Sequence, residues 1–364
     1  MLIDIIAGAR PNFMKIAPII RAIEGMQAAG SKINYRLIHT GQHYDKKMSG
    51  DFFEQLGIPE PDINLEAGGG TQAEQTAAIM VRYEKVLMET RPNLVLVVGD
   101  VTSTMACSIT AKKLNNIKVA HVEAGIRSGD LTMPEEINRM VTDAITDYFF
   151  TTSDTANNNL KNAGIGKDRV FFVGNTMIDT LLTQMPNFQK PSVWDEIGLQ
   201  PKEYIVMTLH RPANVDEEGG LRKLITAIID SSRGIPLIFP VHPRTAKMLE
   251  SLGIAAPNLH MIEPLGYLEF NYLVRNAKAV ITDSGGITEE TTVMNVPCMT
   301  LRNNTERPET CEIGTNELLG TDPIAIPPAF DTLFAGQWKK GEIPELWDGH
   351  TSERILDVIL SLNL

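Results

Sequence analysis

Apolar residues along this chain gather in short runs, and six of those runs stop at a polar or glycine-rich end. They read LIDIIAGAR, closing at Arg10; LVLVVGD, at Asp100; VAHVEAG, around Glu123; YIVMTLH, at His210; LIFPVH, at His242; and VITDSGG, at Gly286. Runs of roughly five to seven apolar residues bounded by turn signals mark strands buried on both faces. Amphipathic stretches of helical period lie between them, so the pattern predicts parallel strands joined by helical crossovers. In such sheets ligands bind beyond the carboxyl ends of the strands. The run ends therefore outline an active-site rim, three of its elements before residue 130 and three after residue 200.

The first half predicts strands at about 2–7, 33–39, 94–98, 117–122, 147–151 and 169–173, with helices at about 11–28, 47–56, 72–90, 103–115, 134–146 and 154–163. The second half restarts the alternation, with strands near 204–209, 236–241, 259–262, 279–282 and 297–301 and helices near 217–232, 244–252, 267–276 and 286–294. The proline-spaced stretch MPNFQKPSVWDEIGLQPKEY is the best boundary candidate. The reading is an α/β protein of two Rossmann-like lobes facing across a cleft, an N-terminal lobe over 1–184 and a C-terminal lobe over 185–349. The amphipathic tail, about 350–364, is expected to dock as a helix.

Length supports two lobes, because 364 residues exceed the size at which single cores stop growing. Composition is that of an ordinary globular protein, 43% hydrophobic and 21% charged. No apolar run approaches a membrane span, and a strand entered within two residues leaves no room for a signal peptide. Cys107, Cys298 and Cys311 form no CxxC pair, which favours reduced thiols and a cytoplasmic location. A net charge of −12 argues against duplex nucleic acid as partner, yet local cations and helix starts still accommodate a small anion.

The candidate chemistry follows from the rim. In DSGGITEE, Ser284, Gly285 and Gly286 end a strand and open a helix, where free N–H groups and the dipole favour phosphate. Glu290 lies one turn further on, placed to accept from ribose hydroxyls; a plain capped turn is the structural alternative. Arg307 in NNTERPET offers a forked phosphate ligand, or else a surface pair with Glu306 or Glu309. GARPNFMK places Arg10 and Lys15 about one turn apart at a helix start, where both can face an anion; it is neither GxGxxG nor a Walker loop. Asp100 is an acid/base candidate or a helix cap. Glu123 sits in an apolar stretch, where a carboxylate must be paired or used, and Arg127 is its evident structural partner. Glu135 follows Pro134 at a helix start, beside a competing Glu136. His210 and His242 stand at equivalent strand tips, suited to donate to anionic oxygens. A metal site fits poorly: no HxxxH with an acidic partner occurs on a helix, and His39 and His43 straddle a strand end and a loop.

Assembled in order, GARPNFMKIAPI, TGQHYD, HVEAGIRSGD, PEEINR, GNTMID, LHRPANVD, PVHP, ITDSGGITEE and TERPE make the chain resemble the non-hydrolysing UDP-N-acetylglucosamine 2-epimerases over nearly its whole length. The resemblance implies a glycosyltransferase-B fold whose C-terminal helix returns to the N-terminal lobe, a homodimer, a UDP-sugar substrate and no cofactor. It implies inversion at C2 through elimination of UDP, a 2-acetamidoglucal intermediate and re-addition of UDP. By the same resemblance, Asp100, Glu123, Glu135 and His210 are catalytic. Arg10, His242, Ser284, Gly285, Gly286, Glu290 and Arg307 bind the nucleotide diphosphate, with Lys15 and Phe270 as further contacts.

Two departures from the family pattern stand out. Many bacterial members have His-Arg-Arg-Glu where this chain has His210, Arg211, Pro212 and Ala213, and LEAGGGT at 65–71 lacks the arginine of regulated members. Both touch the region where a second UDP-GlcNAc activates relatives, although Gln42 remains. They argue against that activation and leave room for a sister specificity, such as a 2,3-diacetamido uronic acid or 6-deoxy sugar on UDP. The rival readings are a glycosyltransferase of the same fold, a hydrolysing epimerase and a silent UDP-sugar-binding regulator.

Overall fold

Runs buried on both faces need helices above and below, and the chain supplies them by alternating strand with helix throughout. The computed structural model describes residues 1–364 apart from 42–52, 54, 115–116, 212–217, 242–245, 248, 250 and 363. It divides into two units, Met1–Thr183 with Glu345–Leu364, and Gln184–Pro344.

The first unit holds strands β1 (Leu2–Ala7), β2 (Asn34–His39), β3 (Ile63–Asn64), β4 (Leu94–Val98), β5 (Lys118–Val122), β6 (Tyr148–Thr151) and β7 (Val170–Phe172). They pair in parallel in the order β3-β2-β1-β4-β5-β6-β7. Helices α1 (Arg10–Ala28), α2 (Gln72–Glu89), α3 (Thr102–Lys113), α4 (Pro134–Ile145), α5 (Asp154–Asn162) and α6 (Thr176–Gln184) make the connections. Every side chain of β4 is buried, as a central parallel strand requires. Strand order reverses between β1 and β4, and a doubly wound sheet opens its ligand crevice at that point.

The second unit contains α7 (Ser192–Ile197), β8 (Ile205–Thr208), α8 (Glu218–Ser231), β9 (Leu237–Pro240), β10 (Leu259–Ile262), α9 (Tyr267–Asn276), β11 (Ala279–Thr282), α10 (Gly285–Val293), β12 (Cys298–Thr300), α11 (Pro308–Glu312), β13 (Asn316–Leu318) and α12 (Ile326–Phe334). Its parallel order is β10-β9-β8-β11-β12-β13, with the reversal between β8 and β11. Alternate strand residues feed two cores. Ile205, Met207, Phe239 and Ile281 pack in one, while Val206, Ile238, Val280 and Cys298 pack in the other.

Helix α13 (Thr351–Ser361) belongs to the first unit. Its opening N–H groups need acceptors, and Asp179 on α6 supplies them. That carboxylate accepts from Thr351 N (3.1 Å), Ser352 N (2.7 Å) and Ser352 Oγ (2.8 Å). The fully buried Trp347 donates its indole N–H to Thr152 O (3.1 Å) on the same unit.

The sequence pattern predicts neither the short strands β3 and β13 nor helices α6, α7, α11 and α12. Strands of two and three residues are too short to show periodicity. Helix α12 opens on Ile-Pro-Pro, which reads as a breaker although proline is tolerated in a first helical turn. The helix expected at 47–56 falls largely, and that at 244–252 partly, outside the described residues, as do Gln42 and His43.

Candidate active site

In the first unit the loop after β1 is tied to the end of β4 by one buried amide. Asn12 Oδ1 accepts from Gly8 N and Ala9 N (both 3.1 Å), and its Nδ2 donates to Val98 O (3.1 Å). Arg10 projects, exposed, from the first turn of α1. Lys15, one turn further, turns inward and forms a hydrogen-bonded ion pair with Glu123; the two residues are 8% and 4% exposed. Arg127, the partner expected from sequence, instead binds Asp143 (2.7 Å). Glu123 adopts φ +68°, a backbone conformation that costs a side-chain-bearing residue about 1–3 kcal/mol and is kept where its surroundings over-determine it. The pair also needs Gly99: a Cβ there would lie 2.9 Å from Lys15 Nζ and 3.1 Å from Glu123 Oε2.

Around that pair the polar groups form a supporting lattice. His121 bridges Asp143 (Nδ1, 2.7 Å) and Gly99 O (Nε2, 2.8 Å). Burial pushes the Asp143 carboxyl up, but His121 and Arg127 outweigh it and hold the group below the usual range. Asp100 does not cap α3, whose N-cap is Val101. It receives Arg139 through Nε (3.0 Å) and Nη2 (2.6 Å), while its own carbonyl accepts from Asn138 Nδ2 (2.8 Å). Glu136 resolves its competition with Glu135: it is buried, accepts from Ser128 N and Gly129 N (3.0 Å each) and pairs with Arg139 (2.5 Å). Burial opposes ionisation of Glu136, yet these donors bring its pKa below normal. Glu135 remains half-buried in the first turn of α4, where the helix dipole favours its charge. Asp100 and Glu123, each held by a cation, thus stand at the C-terminal ends of the neighbouring strands β4 and β5.

In the second unit the equivalent edge is organised by Asp283, a fully buried residue. Its carboxylate accepts from His210 N (3.0 Å) and Arg211 N (2.9 Å) and meets His210 Nδ1 at 2.7 Å. Fixing Nδ1 this way leaves Nε2 of the outward imidazole, whose side chain is 61% exposed, as the chemically available nitrogen. Ser284 is the N-cap of α10 and makes no side-chain cap, so the helix start lacks that internal acceptor. Gly285 lets the Glu306 carboxylate approach closely: a Cβ would sit 2.7 Å from Glu306 Oε1. Arg307 is held by Glu289 on α10 rather than by Glu306 or Glu309; Glu306 pairs instead with Arg302 (2.6 Å). Glu309, 4% exposed, is pushed up to about 7 by burial despite the nearby Arg307.

Glu290 is buried and accepts from Tyr267 Oη (2.7 Å). Phe270 is half-buried against the β8–β11 core. His242 lies outside the described residues. Among the described residues no group of three His, Cys, Asp or Glu side chains is placed to hold a metal ion. Sequence reasoning missed Asn12, Arg139, Asp283, Glu289 and Tyr267. Arg139 was reachable, being three residues beyond Glu136 on one helix face. Asp283 was not, because its role depends on β8 and β11 being neighbours.

Two doubly wound parallel units with polar strand tips define the glycosyltransferase-B fold. A lipopolysaccharide outer core galactosyltransferase shares that fold at 13% identity, with a TM-score of 0.57 over 99% of both chains. The particular family follows from closer matches. The sequence model of UDP-N-acetylglucosamine 2-epimerase matches residues 26–360. The UDP-N-acetylglucosamine 2-epimerase of Methanocaldococcus jannaschii is 39% identical over 99% of both chains. Its crystal structure in complex with UDP-GlcNAc and UDP gives a TM-score of 0.88, covering 100% of each chain. The UDP-2,3-diacetamido-2,3-dideoxy-D-glucuronate 2-epimerase of Pseudomonas aeruginosa is 39% identical over 88% of both chains. This chain belongs to the UDP-N-acetylglucosamine 2-epimerase family. No helix among the described residues is long and apolar enough to cross a membrane.

Proposed function

We propose that the chain interconverts UDP-N-acetylglucosamine and UDP-N-acetylmannosamine by inverting C2 without releasing free sugar. A base removes the C2 proton while the C1–O electron pair departs with UDP, leaving a 2-acetamidoglucal. UDP then re-adds at C1 as an acid returns a proton to the opposite face of C2. Opposite faces need more than one acid/base, which suits the three carboxylates Asp100, Glu123 and Glu135. Lys15 serves through Glu123, whose charge it balances in a buried place. We assign stabilisation of the charge developing on UDP to Arg10, Arg307, the α10 start and His210. His242 and Phe270 complete the nucleotide contacts. We place the enzyme in the cytoplasm as a homodimer.

The observation that carries this reading is Glu123, held at positive φ at the tip of β5 and buried against Lys15. The test is an NMR time course on UDP-GlcNAc in deuterated water. Appearance of UDP-ManNAc with deuterium at C2 is the expected result, and Glu123→Gln is expected to abolish it while UDP still binds. No exchange at C2, or release of free sugar, overturns the reading. The P. aeruginosa relative favours a second substrate, a UDP-2,3-diacetamido uronic acid, and the same time course run on that sugar decides between them.

A further inference from the structure

Two residues before Glu123, β5 carries His121, a fully buried imidazole with an acceptor at each ring nitrogen. Nδ1 meets Asp143 Oδ1 at 2.7 Å, and Nε2 meets Gly99 O at 2.8 Å. A carbonyl oxygen only accepts. Asp143 only accepts as well, because its other oxygen takes Arg127 Nη2 (2.7 Å) and Gly125 N (3.1 Å). Burial pushes the Asp143 carboxyl up, but His121 and Arg127 hold it below the usual range. Both ring nitrogens therefore donate, and an imidazole donates twice only as the imidazolium. Charge balance leads to the same form. Among the described residues, the ion pairs around Asp100 and Glu123 set Lys15, Arg127 and Arg139 against Glu123, Asp143, Asp100 and Glu136. Buried carboxylates need compensation, and the second proton on His121 supplies the missing positive charge.

What this imidazolium holds is backbone. Gly99 O belongs to the planar peptide unit that carries Asp100 N. Gly99 N donates to Val122 O (3.0 Å), in the unit that carries Glu123 N. Asp143 takes Gly125 N, closing the turn in which Glu123 keeps its φ of +68°. One buried pair thus reaches the chain just before Asp100 and on both sides of Glu123. We propose that His121, kept as an imidazolium by Asp143, is a positioning residue that sets the Asp100 and Glu123 carboxylates against each other for proton transfer at C2. This assignment rests on the UDP-sugar reading above. The nucleotide diphosphate is assigned mainly to α10 and Arg307 in the second unit. Loss of the brace therefore falls on turnover and leaves UDP binding in place.

The test combines two measurements on the full chain. In protein labelled with nitrogen-15 in its histidine rings, NMR is expected to show one histidine with a proton on each ring nitrogen, and that pair of signals disappears in His121→Gln. The amide of this variant reaches only one of the two acceptors. Its kcat for deuterium incorporation at C2 is expected to fall by about tenfold to a hundredfold, as misplaced reacting groups do, with KM and the Kd for UDP held within about twofold. An unchanged kcat in the folded variant overturns the assignment. So does a parallel loss of UDP affinity, which marks a residue that only supports the fold. Should His121→Gln fail to fold, Asp143→Asn is measured instead, with the same outcomes carrying the same consequences. An active wild-type protein without the paired ring signals counts against His121 alone. Wild-type protein that shows those signals yet exchanges no deuterium into C2 of either UDP-sugar sinks the UDP-sugar reading, and the assignment with it.

Discussion

Replacing Asp283 with asparagine keeps the shape of the side chain and removes its charge. Three donors converge on that buried carboxylate: His210 N, Arg211 N and the His210 imidazole. Asparagine retains one acceptor oxygen and turns N–H groups toward the other side, so one or two charge-assisted bonds are lost. At roughly 1.5–3 kcal/mol each, unfolding becomes easier by about 2–5 kcal/mol. The functional cost is separate. With the amide N–H groups turned toward Nδ1 the imidazole loses both its tautomer and its aim, and losing a positioned donor to the charge developing on UDP lowers kcat by about 10²–10³-fold. The assay pairs urea denaturation with the UDP-GlcNAc time course, and calorimetry with UDP confirms that the site survives. His210→Ala is expected to lose a similar factor, and the double variant little more, because the two residues act as one unit. A folded Asp283→Asn protein turning over within about threefold of the parent would falsify the orienting role.

Two further outcomes follow from the buried acids. Glu309 has a folded pKa of about 7 against an ordinary 4.5, so its stabilising contribution is full below about pH 4.5 and is lost as pH rises through 7. Glu309→Gln is therefore expected to match the parent near pH 5 and to exceed it by about 3 kcal/mol near pH 8; thermal melts showing no gain at the higher pH would contradict this. Asp179→Ala removes the acceptor of three donors at the α13 start and is expected to cost about 2–4 kcal/mol. Limited proteolysis should then clip the C-terminal segment first, and a tail as protected as in the parent would show that Asp179 does not anchor it.

The β/α alternation was legible because strands buried on both faces leave long apolar runs, and most predicted strands lie within a residue or two of those observed. Edge strands β3 and β13 were not legible, since so few residues carry no period. Strand tips likewise announced Arg10, Asp100, Glu123 and His210, because a polar residue closing an apolar run is visible in one dimension. Their partners were hidden for a different reason. Asp283 beneath His210, and Lys15 rather than Arg127 beside Glu123, are contacts between elements far apart in sequence. Nearest-neighbour reasoning supplied Arg127 four residues away, whereas sheet order brought α1 and β5 together across β4.

The return of α13 to the first unit affects how the protein is made. The second unit is continuous from Gln184 to Pro344, whereas the first is split and holds Glu345–Leu364 as its last piece. Domains fold during synthesis as their residues emerge. On the ribosome the second unit has all its residues before the first has its closing helix, so the part translated earliest is completed last. Until Thr351 and Ser352 arrive, Asp179 and the surface under α13 stay uncovered in the nascent chain. The interval during which this protein is most exposed to misassembly or to chaperones is therefore set by translation of the entire second unit.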